Sequence, residues 1–451
     1  MEFDVREVAL KTVEEALKLG VSEAEAFVLA RKSTLVRLVR GGEVEVSKGG
    51  ESLALGVRIA FGKRVAVGGG SLRSLDDVRR IVEQISKIAR ASSEDPNWRG
   101  LPGRIGGSRV TPPYDPLVEE PPLEELLDSM GVAVAKAKGL GGNLEVTVAD
   151  LRLTVVERAI ASTSLDVVAE KATRVTGLVA VKAVEGGTQV VCHEYSVGFK
   201  MKDLVFEELA EKASTRALRG LRMVSVETGR YALVLTPKVS AAVLDALITP
   251  AVSADNVQKG RSPLAGRIGE EVLDESITVV DDPTVENLYT TTSFDDEGVA
   301  TRPKTVFRKG VLETFLYDTY TAKLEGREST GNAVRASVTA APRPSPISLI
   351  VEPGREPMDR MVEESGKVLV VYETVGEWLS NPVNGYLNAT ITYAELYEKG
   401  VFKGVVRGPI ASGNIYELLK NNLLGLSRET EISHGILTPA IMIDNVTLSL
   451  K

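Results

Sequence analysis

One cysteine, Cys192, serves the whole 451-residue chain, so no intrachain disulfide can form. Histidine is almost as scarce, with only His193 and His434. A hydrolytic zinc site commonly takes two histidines from one helix, with a glutamate to activate water, and no helix-length segment here holds two. Glutamine occurs three times, at Gln84, Gln189 and Gln258, against abundant Glu, Lys, Arg and Val. That bias suits a heat-loving host. No uninterrupted apolar run approaches the ~18 residues of a membrane span, and the opening Met1-Glu2-Phe3-Asp4 lacks the apolar core of a secretory signal. A soluble, cytoplasmic protein without membrane contact is the expectation. Excess positive charge is missing too. A net charge of −8 and a pI near 5.3 leave no broad basic face for phosphates, which argues against nucleic acid as a partner.

Recognisable motifs are equally sparse. There is no G-x-x-x-x-G-K-[ST] phosphate loop and no G-x-S-x-G nucleophile elbow. Gly68-Gly69-Gly70 has the wrong spacing for a dinucleotide fingerprint and reads as a turn.

What is present, 43% apolar residues over a length that suits two or three domains, is globular. Helical spacing marks residues 5–19, with extended segments at 24–30, 33–39, 43–48 and 52–60 separated by Gly41-Gly42, Gly49-Gly50 and Gly62, and a second helix over 75–91. The Pro/Gly-rich passage 96–122 reads as a long surface connection. The order then repeats: a helix over 123–137, strands at 143–150, 151–160, 164–171, 175–184 and 187–191, and a helix over 204–218. This is a candidate duplication, with an ordinary two-sheet α+β domain as the alternative. Beyond Met223 short strands with regular turns predict a β-rich sandwich or barrel-like domain. The fold class is therefore α+β, with an N-terminal antiparallel-sheet domain flanked by helices over 1–222 and a C-terminal β-rich domain over 223–451.

Residues 231–302 organise the second half. A strand, Tyr231–Leu235, leads into a helix with Thr236 as its N-cap, Pro237 at its first position and Pro250 at its end. The loop that follows carries Lys259 and Arg261, able to hold a peptide carboxylate or to pair with acidic turns; a solvated loop is the alternative. The turns Asp281-Asp282-Pro283 and Phe294-Asp295-Asp296-Glu297-Gly298 offer oxygen ligands for a cation, yet Asp beside Pro or Gly is also ordinary turn chemistry. In Cys192-His193-Glu194, neighbouring side chains of a strand point to opposite faces and grip one ion poorly. His434, in Ser433-His434-Gly435, reads as a solvated turn residue.

The series Gln258-Lys259-Gly260-Arg261-Ser262, Asp281-Asp282-Pro283, Phe294-Asp295-Asp296-Glu297-Gly298, Ser329-Thr330-Gly331-Asn332, Pro353-Gly354, Asn381-Pro382-Val383-Asn384-Gly385 and Ile443-Asp444-Asn445 resembles, in content and order, the TldD/PmbA family, the so-called modulators of DNA gyrase. TldD-like members carry an H-E-x-x-x-H metal helix; PmbA/TldE members lack it. Counted back from the Lys259-Gly260 loop, those positions fall on Asp245-Ala246-Leu247-Ile248-Thr249-Pro250. Alanine cannot act as a general base and proline has no side-chain ligand. The resemblance thus implies a PmbA/TldE-like subunit that dimerises, as homodimer or heterodimer, and works with a TldD-like metallopeptidase on unfolded or extended peptides. It implies no catalytic residue, metal ligand or cofactor of its own. Asp245, Lys259, Arg261, Asp295, Asp296, Glu297 and Asn332 are the candidate substrate-binding residues. Two alternatives stay open: an active metallopeptidase with a carboxylate metal site around Asp245 and the acidic turns, and a non-enzymatic binding or modulator protein.

Overall fold

The computed structural model describes residues 4–39, 44–47 and 49–450. The opening Met1-Glu2-Phe3, the Gly41-Gly42 turn, and Glu43 and Lys48 at the ends of one expected strand lie outside the described residues.

The first half runs α1 (Val5–Lys18), β1 (Glu23–Val39), β2 (Val44–Ser47), β3 (Ser52–Phe61), β4 (Arg64–Ser71), α2 (Asp76–Ala91), α3 (Pro116–Glu119), α4 (Leu123–Leu140), β5 (Leu144–Ser162), β6 (Val167–Glu185), β7 (Thr188–Gly198) and α5 (Phe206–Gly220). Its strands form one antiparallel sheet in the order β4-β3-β1-β5-β6-β7, with β2 paired to β1. The element order recurs: a helix, four strands (β1–β4) and a helix, then a helix, three strands (β5–β7) and a helix, the two units meeting along β1 and β5. Several segments that read as pairs of short strands are single long ones, since β1, β5 and β6 each continue through polar stretches that face solvent on a curved sheet.

Strand alternation decides which side meets what. On β1, Ala24, Ala26, Val28 and Ala30 pack with Leu55, Val57 and Ile59 of β3 in the core beneath α1 and α2. The intervening Glu25, Phe27 and, on β3, Gly56 and Arg58 look the other way, into the second half.

That second half runs β8 (Gly229–Leu235), α6 (Pro237–Ala251), α7 (Ala254–Gln258), β9 (Val279–Asp281), β10 (Lys304–Arg308), β11 (Val311–Leu312), α8 (Thr319–Leu324), β12 (Ala333–Val334), β13 (Arg343–Pro344), β14 (Leu349–Val351), α9 (Met358–Glu363), β15 (Lys367–Val375), β16 (Tyr386–Glu398), β17 (Val401–Val406), β18 (Ile410–Asn414), α10 (Ile415–Asn421), β19 (Leu423–Ser433) and β20 (Ile436–Ser449). Strands β20, β18, β16, β15 and β8 pair in a ring that closes through β8–β20, giving a barrel with β9, β10, β11 and β14 extending from it. Helix α6 buries Val239, Val243, Leu244, Leu247 and Ile248 in the barrel's core cluster. Thr236 stands at its N-cap, but its hydroxyl donates to the Val371 carbonyl (3.0 Å) rather than capping. Pro250 lies one residue inside the helix end.

The passage 96–122 departs from its reading as a surface connection. Trp98, Leu101, Ile105 and Val118 are buried, Gly106 N–H donates to Gly298 O (2.8 Å), and Ser108 N–H donates to Ser293 O (2.7 Å). Its apolar residues are what seat it between the halves. The closeness of that contact is sharpest at Gly56, where an added Cβ would stand 1.9 Å from the Val338 carbonyl oxygen. Gly56→Ala is expected to cost about 1–3 kcal/mol in urea denaturation, as overpacking does; an unchanged midpoint would show that the 338 loop yields freely.

Candidate functional site

A cavity of about 400 Å³ opens where the two halves meet. The first half supplies β7 and Arg216 of α5; the second supplies α6, the end of β15, the turn Glu377–Leu379 and the β19–β20 hairpin. Asp245 and Ala246 project from α6 into this cavity. Both histidines of the chain are here as well. His193 Nδ1 lies 3.7 Å from Glu373 Oε1, and His434 Nδ1 lies 3.9 Å from Asp245 Oδ2.

Local structure explains each placement. On β7, Cys192 turns inward among the side chains under α5, while His193 turns out, as alternation requires. Burial pushes the Cys192 thiol up to about 11, so it is inert at neutral pH. His434 and Gly435 form a two-residue hairpin turn with φ of 53° and 75°, and this positive-φ geometry lifts the His434 ring over α6. Glu194 is gripped by Arg216 and Lys238, and Lys238 also reaches Glu431 at 3.1 Å. Burial raises the Asp245 carboxyl above the usual range, with His434 pulling the other way. Burial lowers Lys238.

Of the seven candidate residues, the fold brings Asp245 alone to the cavity. Lys259 pairs with Asp255 one helical turn away (2.6 Å), and Arg261 is exposed. Asn332 is fully buried; its amide donates to Asp281 Oδ2 (2.7 Å) and to the Ser345 carbonyl (3.0 Å). Asp281 in turn accepts the Ile347 and Ser348 N–H groups, both at 2.8 Å. These contacts hold a junction of loops.

Asp295, Asp296 and Glu297 join the two halves. Arg58 of β3 donates to Glu25 of β1 (2.5 Å) and to Glu297 (2.8 Å), and Arg335 completes the cluster by pairing with Glu25. Arg158 of β5 holds Asp296 and Glu170 and lies 4.6 Å from the centre of the Phe294 ring. Asp295 accepts backbone N–H groups from Glu297, Val299 and Ala333, each at 2.9 Å. The acidic turn thus docks the second half onto the N-terminal sheet.

If a zinc ion were held where the sequence resemblance points, its donors would fall on Asp245, Ala246 and Pro250. The chemistry of that set does not fit: one carboxylate, one methyl and one proline. Among the described residues no group of three or more His, Cys, Asp or Glu side chains is arranged to hold a metal ion. Nor is any helix among them long and apolar enough to cross a membrane. Sequence reasoning missed the meeting of His193, His434, Glu373 and Glu377, and no local signal marks it, because the four come from three separate stretches.

Comparison with known proteins agrees with this architecture. The model of the PmbA/TldA metallopeptidase C-terminal domain matches residues 228–450, and that of PmbA/TldA metallopeptidase domain 1 matches residues 24–89. An uncharacterized protein of Methanocaldococcus jannaschii is 27% identical over 413 residues, 90% of this chain and 93% of that protein. A metalloprotease of Archaeoglobus fulgidus is 33% identical over 209 residues, 46% of this chain and 48% of that protein. The chain thus spans about half the length of the archaeal metalloproteases it matches. In fold, it superimposes on TldE from Thermococcus kodakarensis with a TM-score of 0.88 at 24% identity, covering 97% of this chain and 100% of that one. With both the first-domain and C-terminal-domain models matched along the chain, the protein belongs to the PmbA/TldD metallopeptidase family.

Proposed function

We propose that this chain is the PmbA/TldE-type subunit of a TldD-type metallopeptidase system that degrades unfolded or extended peptides, with the zinc carried by its partner. The observation that carries this reading is Ala246, which lines the cavity from α6, at the position to which the sequence resemblance assigns the water-activating glutamate. A methyl group moves no proton. The cavity would then shape or close the substrate chamber.

Two strand edges without a strand neighbour support peptide as the ligand, although on β7 the His193 and Tyr195 carbonyls already accept from Arg216 and Lys238. β7 has β6 as its only strand partner among the described residues. β8 accompanies β15 from Val368 to Val371 only, so Tyr372–Val375 keep one side without a strand neighbour. An extended peptide adds to such edges through backbone hydrogen bonds, largely regardless of sequence. Co-expression with a TldD-like protein of the same genome is expected to yield a joint complex that cleaves unfolded peptides, whereas this chain alone cleaves none. Two proteins that stay separate, with the TldD-like one fully active alone, would sink the idea.

A second reading is a peptidase in its own right, with hard oxygen ligands suited to Mg, Ca or Mn; only Asp245 of its ligand set reaches the cavity, and no described group of three His, Cys, Asp or Glu side chains is arranged to hold an ion. Stoichiometric metal in the purified chain, with peptide cleavage lost in Asp245→Ala, would replace the first reading with this one. The non-enzymatic modulator reading has no comparable geometric support.

A further inference from the structure

The cavity's carboxylates are not equally occupied. Glu194 is taken by Arg216 and Lys238, and Asp245 stands beside His434. Glu377 is 6% exposed, and its carboxylate has no hydrogen-bond or ion-pair partner among the described residues. Glu373 Oε1 is buried without a hydrogen-bond partner. Its nearest positive groups, His193 Nδ1 at 3.7 Å and Arg216 Nη1 at 3.9 Å, are too distant to donate a hydrogen bond. Glu373 is 22% exposed and lies in ion-pair range of Arg216, and Glu377 is the more buried of the two. A largely buried carboxylate without a donor is kept at a cost, which a bound cation would relieve. Trp378, 71% exposed, lines the same cavity and adds a ring face that attracts cations.

We infer that Glu373 and Glu377 form a receptor for a cationic group of the peptide, an α-ammonium or a lysine or arginine side chain. This rests on the peptide reading above and gives it a substrate preference. Backbone pairing along β7 and β15 would hold the chain of the peptide, and the acidic pair would fix its register by taking up one positive charge. Charge-assisted hydrogen bonds to two carboxylates supply the selectivity.

The test uses the full chain and short Ala/Ser/Val peptides with a C-terminal fluorophore, read by anisotropy. One peptide has a free amine, one is N-acetylated, and one is N-acetylated with a central lysine. At least one charged peptide is expected to bind about tenfold more tightly than the neutral one. Which of the two does so identifies the source of the cation. Glu377→Gln and Glu373→Gln should erase that preference and leave the melting temperature no lower than that of the parent, since each removes a charge that the fold keeps at a cost. Equal binding of all three peptides overturns the inference and leaves the peptide reading standing, and so does a preference that survives in the double variant. No binding of any peptide removes the peptide role of this cavity and the inference with it, and the co-expression result then stands apart. The wild-type comparison needs no variant, so it decides the matter even where a substitution misfolds.

Discussion

Replacing Glu25 by alanine is expected to destabilise the protein by about 3–5 kcal/mol, the cost of stripping a buried ion pair of one partner. Glu25 is 1% exposed and accepts from two arginines that are themselves buried, Arg58 and Arg335. Arg58 keeps Glu297 (2.8 Å) after the change, but its Nε already lacks a partner. Arg335 keeps only carbonyl acceptors, Asp296 O at 3.2 Å and Ala340 O at 2.6 Å, and burial already pulls its guanidinium below the usual range. Two desolvated cations would then share one carboxylate. Because Glu25 and Arg58 belong to the N-terminal sheet and Glu297 and Arg335 to the second half, the damage falls on the seam between them. Chemical denaturation gives the magnitude, and limited proteolysis should show the 294–340 region opening first. The double replacement Glu25→Leu with Arg335→Met should recover much of the loss, since apolar residues of similar size often substitute for a buried pair at little cost. A Glu25→Ala loss below about 1 kcal/mol would mean that water reaches the cluster.

Legibility follows locality. Helices α1, α2, α4 and α5 are readable because one apolar face recurs every three to four residues, and the structure shifts their ends by at most three residues. The paired short strands of the first half are single strands because a sheet partner on each side carries a strand through polar residues that interrupt the apolar pattern. Asp245, Ala246 and Pro250 are readable as parts of one helix, since all three lie on one segment. The acidic turn at 294–298 is harder. Its residues look alike in sequence whether they bind a ligand or dock a domain, and only Arg58 and Arg158, more than a hundred residues upstream, settle which contacts they make. The cavity is least legible. His193 and His434 are unremarkable separately, and nothing in either neighbourhood announces that β7 and the β19–β20 hairpin meet over α6.

The stability that Asp295 and Asp318 contribute is expected to fall as pH rises from about 4 to 8, and Asp318→Asn should remove a defined part of that fall. Three carboxylates, Asp295, Glu297 and Asp318, crowd together in the seam, with Arg58 acting on Glu297 and Asp318 and Arg158 feeling Asp295. Burial works against the charge on Glu297, but Arg58 and the Thr319 N–H (2.8 Å) keep it ionised and its pKa below the ordinary value. Burial and then the Glu297 charge push Asp295 up to about 8 and Asp318 up to about 6. Both acids therefore titrate higher folded than unfolded, where an aspartate sits near 3.9. Between the two values the folded chain holds a proton that the unfolded chain has released, so unfolding releases a proton and becomes easier with every unit of pH. The stabilising protonated form is fully present below about 4 and is lost through 6 for Asp318 and through 8 for Asp295. Each proton contributes a slope of about 1.4 kcal/mol per pH unit. Asp318 caps α8 by accepting from Thr321 N–H (2.8 Å) and the Thr321 hydroxyl (2.6 Å), a task that an asparagine oxygen performs as well. Asp318→Asn should therefore match the parent near pH 4, run flatter between 4 and 6, and end about 3 kcal/mol more stable at pH 8. Urea unfolding at matched ionic strength across that range reads the difference directly. Parallel curves for the two proteins would mean that Asp318 is ionised throughout and that Arg58 balances all of this negative charge.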